Sequence, residues 1–321
     1  MDAKALWYTG PGRAELRDEK VPAPRDGEVR VRALHSAISR GTEALVAAGN
    51  VPPNQYDRMR APEMGGEFPF PVKYGYASVG IVEAGAAELV GNTVFSLYPH
   101  QDAYTISADM VAVVPDEIPP TRAVLAANME TALNAVWDGA PGPADRIAVI
   151  GAGVVGCLVA YLCARLPGAE VTLVDVNPAR RAIAEKLGAR FAGPAEAAGE
   201  CDVVFHTSAS SAGLGTALQL AGMEARIVEM SWYGIDGVTA PLGESFHSRR
   251  LQLISSQVGH VATSHRARWD HGRRLAAAIA LLNDARLDAL LAPGVAFAKL
   301  TDALPRILLP QSGTLCQVID Y

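Results

Sequence analysis

Apolar and polar positions alternate along the first part of the chain. Ala3-Lys4-Ala5-Leu6-Trp7-Tyr8 and Glu28-Val29-Arg30-Val31-Arg32-Ala33-Leu34 carry a period of two, which sets one face of a strand against a core. Pro-Gly, Pro-x-Pro and Asp-Gly steps punctuate this stretch, so residues 1–35 are predicted as β structure. Ala37 to Glu43 closes the run and leads into a short helix at about 42–48. Residues 50–72 break the pattern. Pro52, Pro53, Pro62, Pro69 and Pro71 fall among polar residues, Gly65-Gly66, Phe68 and Phe70. A loop this long is either a functional element or a packed surface segment, and the pattern leaves both open. Short strands return over 73–114 with glycine turns at Gly75, Gly80, Gly85 and Gly91, which predicts a partly closed barrel.

From about Ala123 the period becomes helical, and strands then alternate with helices. Strands are predicted at 146–150, 170–174, 202–205, 226–230 and 251–254, and helices at 154–166, 178–188 and 212–222. Such alternation is the signature of an α/β unit with a parallel, doubly wound sheet. Residues 267–282 read as an amphipathic helix and 315–320 as a last strand. That strand needs a sheet to satisfy its backbone, so the tail is expected to return to the first part. The chain thus divides at 1–121, 122–259 and 260–321.

One stretch of the second part carries chemistry. Arg146 to Ala160 reads as a buried strand, a glycine turn and the start of a helix, with Gly151, Gly153 and Gly156 in the spacing G-x-G-x-x-G. The first glycine permits the tight turn, the second lets a pyrophosphate approach the backbone, and the third lets helix lie close on strand. The helix start, with Val154 and Val155, offers N–H groups and partial positive charge to phosphate. Glycine-rich turns also occur where nothing binds, but Asp175 ends the next strand, 22 residues beyond Gly153. That is the place of an acid that accepts bonds from an adenosine ribose. A carboxylate there repels a 2′-phosphate, which favours NAD(H) over NADP(H).

Composition narrows the partners. The 321 residues are 50% hydrophobic and 19% charged, with a net charge of −6, and no basic block suggests nucleic acid or an anionic membrane. No signal peptide or membrane-spanning run is apparent. The four cysteines form no C-x-x-C pair and no disulfide-like spacing. Cys157 and Cys163, in an apolar helix, read as buried inert thiols, and a cytoplasmic location is expected.

The order of parts resembles the medium-chain dehydrogenase/reductase superfamily over the whole length. The matching stretches are Gly75 to Gly85, Gly91 to Val94, Gly151 to Gly156, Val174 to Arg180 and Leu187-Gly188-Ala189. The resemblance implies a GroES-like β-barrel catalytic domain, a Rossmann cofactor domain, a small-molecule substrate and a homodimer. It also implies cofactor contacts from Arg40, or a salt bridge of Arg40 to Glu43, and from Arg180, Ser208 and Ala209. Trp232 is implied to wall the pocket or to pack in the core. The family's zinc ligands align with Ser39, Gly75-Tyr76-Ala77 and the vicinity of Ala127, and its four-cysteine lobe is missing, so no metal is expected. An Arg of relatives' last strand is Cys316 here. Ile38-Ser39-Arg40-Gly41-Thr42-Glu43 and Tyr74 to Gly80 also resemble bacteriochlorophyllide-type dehydrogenases.

Without a metal, a side chain must serve the substrate oxygen. Tyr76 takes the place of a ligand His, as an acid or as a barrel-core residue. His100 is either a general acid or an exposed loop histidine. Ser39 and Thr42 are candidate relay hydroxyls, and Glu43 is expected only to orient Arg40. The implied activity is zinc-independent hydride transfer between NAD(H) and a secondary alcohol or ketone. Reduction of an activated C=C bond and a non-catalytic redox sensor are the alternatives.

Overall fold

The computed structural model describes residues 1–309 and 312–321. Strands β1 (Asp2–Gly10), β2 (Arg13–Lys20) and β3 (Glu28–Ser39) run into helix α1 (Arg40–Ala48). The proline-rich stretch holds a short 3-10 helix (Pro53–Gln55), β4 (Gly65–Gly66) and β5 (Val72–Lys73), before β6 (Ser78–Gly85), β7 (Thr93–Ser96), β8 (Ala103–Ser107) and β9 (Val111–Val113). Helices α2 (Pro120–Ala123) and α3 (Ala126–Gly139) lead to β10 (Arg146–Ile150), α4 (Val154–Cys163), β11 (Glu170–Val174), α5 (Arg181–Leu187) and β12 (Arg190–Ala192). Then come β13 (Cys201–His206), α6 (Ser211–Leu220), β14 (Ala221–Glu229), β15 (Gln252–Ser255) and α7 (His271–Ala280). The chain ends with β16 (Leu291–Ala296), α8 (Leu300–Leu308) and β17 (Cys316–Asp320).

These elements form two compact units. The first comprises Met1–Ala127, Ile279–Asp284 and Leu291–Tyr321, and the second Asn128–Ala278 and Ala285–Leu290. Residues 260–278, grouped above with the tail, therefore stay with the second unit, and the chain returns to the first from Ile279.

The first unit is the GroES-like part. Its strands form sheets of order β2-β1-β5-β4 and β16-β17-β3-β6-β7-β9, with β8 also paired to β3. Strand β17 runs antiparallel to β3 and sets Cys316 opposite Ser39. The alternation along β3 sends Val29 and Val31 inward onto Val82, Val94, Tyr104 and Ile106. Each buried valine contributes roughly 1.5–3 kcal/mol. Strand β2, Arg-Ala-Glu-Leu-Arg-Asp-Glu-Lys, falls within the β structure expected over 1–35 but between the two alternating stretches. It is an edge strand with no buried position, so it shows no apolar alternation.

The second unit is a Rossmann sheet of order β12-β11-β10-β13-β14-β15, every neighbouring pair parallel. The order reverses between β10 and β13, which opens a crevice at their carboxyl ends. Helix α4 is apolar almost throughout and buried from Gly156 through Tyr161. It stops at Cys163, short of the expected 166, where Pro167 disfavours helix in the residue before it. Helix α7 likewise begins at His271, and the Asp270 carboxylate accepts from the Arg273 N–H at 2.7 Å. Among the described residues no helix is long and apolar enough to cross a membrane.

The first unit's core is rich in tyrosine, and this has a pH consequence. Tyr104 is fully buried, with its hydroxyl 2.6 Å from Ser96 Oγ and 3.0 Å from Ser78 Oγ. Burial pushes its hydroxyl up to about 12, against the partial relief of the two serines. The unfolded chain ionises near 10, so this contribution to stability is complete below about pH 10 and is lost as pH rises through 12. We expect Tyr104 to account for about 2–3 kcal/mol of alkaline destabilisation. Denaturant unfolding at pH 8 and 11.5 should show a smaller loss in Tyr104→Phe than in the parent. Equal losses would refute it.

Candidate functional site

In the second unit the glycine turn is built by exclusion. Gly151 leaves β10 at φ +106°, a left-handed conformation that glycine adopts without strain. A Cβ on Gly156 would overlap the Gly151 carbonyl oxygen and approach Thr207 Oγ1 to 2.6 Å, so only glycine lets α4 start here. Nothing in the protein lies within 4 Å of where a Gly153 Cβ would be, which leaves that backbone open to an approaching group. Val154 and Val155 supply the first helical turn, whose N–H groups have no carbonyl partners within the helix. Thr207, just past β13, donates its hydroxyl to the Ile150 and Gly151 carbonyls at 3.0 and 2.9 Å and ties the turn to the neighbouring strand.

Asp175 closes the other side of the turn. Its Oδ2 accepts from the Ala152 N–H at 2.6 Å and its Oδ1 from the Asn177 N–H at 2.8 Å. Each oxygen keeps a second lone pair for a ribose hydroxyl. Arg180 sits at the start of α5, and the charges of Arg180 and Asp175 are both felt at Cys157 in α4. The Cys157 thiol is pushed up to about 12 chiefly by burial, as expected of an inert thiol. An open backbone at Gly153, a helix start and a carboxylate with spare acceptors fit a nicotinamide dinucleotide. Gly151, Gly153, Gly156 and the first turn of α4 would hold its pyrophosphate, and Asp175 its adenosine ribose.

At the next strand ends lies a polar cluster that the sequence reading passed over. His206 and Glu229 end β13 and β14 and stand opposite each other in the parallel register. His206 is fully buried, with Nδ1 2.7 Å from Glu229 Oε2 and Nε2 2.7 Å from Ser208 Oγ. Glu229 also accepts from the Ser231 N–H at 2.8 Å and the Tyr233 hydroxyl at 2.9 Å. Burial raises its carboxyl, but the hydrogen bonds from His206 and Ser231 outweigh it and hold the group below its ordinary value. A visible signal existed: each residue is a polar terminus on an apolar run, Val-Val-Phe-His and Ile-Val-Glu. Ser208 lies against the glycine turn, its N–H 2.9 Å from a Cβ built on Gly151. Ala209, at φ +49°, donates its N–H to Ser231 Oγ at 3.1 Å. Trp232 is half-buried beside them, while its neighbours Ser231 and Tyr233 make the bonds to Glu229.

The first unit gathers Ser39, Thr42 and Tyr76. Ser39 ends β3, Thr42 lies in α1, and Tyr76 precedes β6. The hydroxyl of half-buried Tyr76 hydrogen-bonds with both Ser39 and Thr42. Burial and the charge of Glu43 push it up to about 12, while the two hydroxyls act to lower it. An aromatic row runs from Tyr56 through Phe68 and Tyr74 to Tyr76, with ring centroids 5.6, 6.0 and 6.0 Å apart. This row joins the 50–72 segment to Tyr76.

Two expectations need correction. His100 is not a loop histidine open to solvent. It is fully buried, with Nδ1 2.9 Å from Ser36 Oγ and Nε2 2.9 Å from Glu43 Oε2, so both ring nitrogens are engaged within the protein. Gly75, at φ +124°, makes room for it, since a Cβ there would lie 2.9 Å from the ring. Glu43 does not serve Arg40 alone. Its fully buried carboxylate accepts from the Ser39 N–H at 2.8 Å and the Tyr8 hydroxyl at 3.2 Å besides meeting His100. Arg40 is half-buried at the start of α1. Ser39, Tyr76 and Ala127 offer neither thiolate nor imidazole, so this donor set does not fit zinc. Among the described residues no three His, Cys, Asp or Glu side chains gather into a metal-holding group.

The Alanine dehydrogenase/PNT, C-terminal domain family matches residues 126–226. L-Galactonate-5-dehydrogenase of Escherichia coli (strain K12) is 28% identical over 191 residues, 53% of this chain and 55% of that protein. The chain spans about half the length of the curated relatives it matches. A short chain alcohol dehydrogenase of Escherichia coli CFT073, solved with NADH, superposes over 100% of this chain and 99% of its own with a TM-score of 0.79 at 16% identity. A candidate zinc-binding dehydrogenase from Sinorhizobium meliloti 1021, bound to NADP, covers 100% of both chains with a TM-score of 0.79 at 16% identity. Over its full length the chain shares the fold of these two dehydrogenase structures. The first was solved with NADH, and the second, named as zinc-binding, with NADP.

The His100 network has a measurable consequence. Removing the ring strands Glu43 and Ser36 in a buried setting, so His100→Ala should lower the unfolding free energy by about 3 kcal/mol. Chemical denaturation checks this. Unchanged stability with a large fall in turnover would instead make His100 a substrate-facing acid.

Proposed function

We propose that the protein is a zinc-independent oxidoreductase that transfers a hydride between NAD(H) and a secondary alcohol or ketone. The observation that carries this reading is the second unit's glycine turn, with its backbone open at Gly153 and closed off by Asp175. When bound, NAD(H) supplies the hydride chemistry. NAD(H) is preferred over NADP(H) because the Asp175 carboxylate repels a 2′-phosphate.

Tyr76 serves the substrate oxygen. Raised to about 12, its phenol stays protonated at neutral pH and stands ready to donate. Ser39 and Thr42 hydrogen-bond with the phenol oxygen and stabilise negative charge left there when its proton moves toward the substrate. Glu43 opposes that charge and so keeps the phenol in its acid form. The half-buried ring keeps part of its surface open, as a group that meets a substrate must. The name of the L-galactonate relative makes hydroxylated sugar acids sensible members of a substrate panel.

Turnover should be measured with NADH and NADPH over secondary alcohols, ketones, sugar acids, enones and quinones. Tyr76→Phe should lower kcat by about 10²–10³-fold, with the Kd for NADH unchanged. A variant as active as the parent would remove Tyr76 from the chemistry, and NADH binding without turnover on any ketone or alcohol would sink the enzyme reading. Purified protein should carry far less than one zinc per chain by elemental analysis. A stoichiometry near one, lost together with activity on chelation, would overturn zinc independence.

A further inference from the structure

The cluster at the ends of β13 and β14 goes beyond the elements used so far. We propose that His206 and Glu229 are positioning residues that turn the Ser208 hydroxyl into a hydrogen-bond acceptor for a ribose hydroxyl of the dinucleotide, on its nicotinamide side. This rests on the cofactor reading above and adds a recognition element to it.

Glu229 takes hydrogen bonds from the Ser231 N–H, the Tyr233 hydroxyl and a His206 ring nitrogen, and a carboxylate only accepts. Its partners must therefore donate: the Ser231 N–H, the Tyr233 O–H and His206 Nδ1–H. With its proton on Nδ1, the imidazole presents a lone pair at Nε2. Ser208 Oγ, 2.7 Å away, then gives its single proton to Nε2. What remains on Ser208 is acceptor capacity, one part of which meets Ser210 Oγ at 3.0 Å. Gly213 makes this arrangement possible. A Cβ there would overlap Ser208 Oγ and lie 2.8 Å from His206 Nε2.

The sheet order says which part of the ligand Ser208 meets. The pyrophosphate belongs at the glycine turn after β10. Asp175 follows β11 on one side, and Ser208 follows β13 on the other, against Gly151. An adenosine ribose at Asp175 leaves the other ribose for the β13 side. Phosphates carry no donor to give Ser208, whereas ribose hydroxyls do.

Three ligands separate the parts: ADP, which has only the adenosine ribose; ADP-ribose, which adds the second ribose without nicotinamide; and NADH. Calorimetry on the full chain should show Ser208→Ala and His206→Gln weakening ADP-ribose and NADH roughly three- to tenfold while ADP binds within about twofold of the parent. In ¹⁵N-labelled protein the His206 signals should report the Nδ1–H tautomer, and Glu229→Gln should shift them. Ser208→Ala with parental ADP-ribose affinity, or ADP weakened as much as ADP-ribose, would overturn the proposal, as would a resting Nε2–H tautomer. If the parent protein binds none of the three ligands, the cofactor reading itself fails, and that outcome is distinct because no variant is needed to see it.

Discussion

Helix α4 approaches the end of β10 so closely that residue 156 has no room for a side chain. Much of the second unit's carboxyl edge depends on that approach. It brings the first turn of α4 against the Gly151 carbonyl, where Thr207 reaches over from β13 to bond the same oxygen at 2.9 Å. Asp175 reaches from β11 to the Ala152 N–H at 2.6 Å. Three adjacent strands are thus pinned to one turn, and their carboxyl ends become a single surface. A dinucleotide needs such a surface, because its two riboses must be met several ångströms to either side of its phosphates.

The two units satisfy a carboxylate in the same way, fully buried at Glu43 and partly buried at Glu229. Glu43 takes a tyrosine hydroxyl, a serine N–H and a histidine nitrogen, from Tyr8, Ser39 and His100. Glu229 takes the same three donor types from Tyr233, Ser231 and His206. In each case the far nitrogen of the histidine meets a serine hydroxyl, Ser36 or Ser208. Full satisfaction is what makes such groups tolerable in a low-dielectric interior. The difference lies in where each relay ends. Ser36 is itself fully buried and passes on to the Tyr321 hydroxyl at 2.8 Å. Ser208 is half-buried beside an open turn. The first network rigidifies; the second presents an oriented atom to whatever binds.

Legibility in the sequence followed locality. Strands 146–150 and 170–174 were readable to the residue because both faces are covered, which leaves a short apolar run bounded by turns. The bounds of charged β2, inside the β stretch expected over 1–35, were not readable, since an edge strand with no buried position has no apolar pattern to display. The glycine turn, Asp175 and the Ser39–Thr42–Tyr76 candidates each lay within or beside a local motif. His206 and Glu229 are 23 positions apart and meet only through the register of two parallel strands. His100 escaped for a similar reason. Its partners Ser36 and Glu43 come from β3 and α1, 64 and 57 positions away, and a polar residue after Tyr98-Pro99 reads locally as surface.

The hydroxyls of Ser39 and Thr42 and the charge of Glu43 set what the Tyr76 phenol can do. A phenol raised to about 12 is an acid at neutral pH and almost never a base. It can donate to a carbonyl oxygen that gathers negative charge, yet it cannot readily take the proton of an alcohol. Burial and Glu43 both push toward the acid form, and only the Ser39 and Thr42 hydroxyls push back. Glu43 cannot be relaxed to balance them, because it also anchors Tyr8, the start of α1 and His100. The structural demand for a buried carboxylate and the chemical bias of Tyr76 are therefore the same fact. Moving the phenol toward its base form would mean dismantling the network that holds the first unit's core.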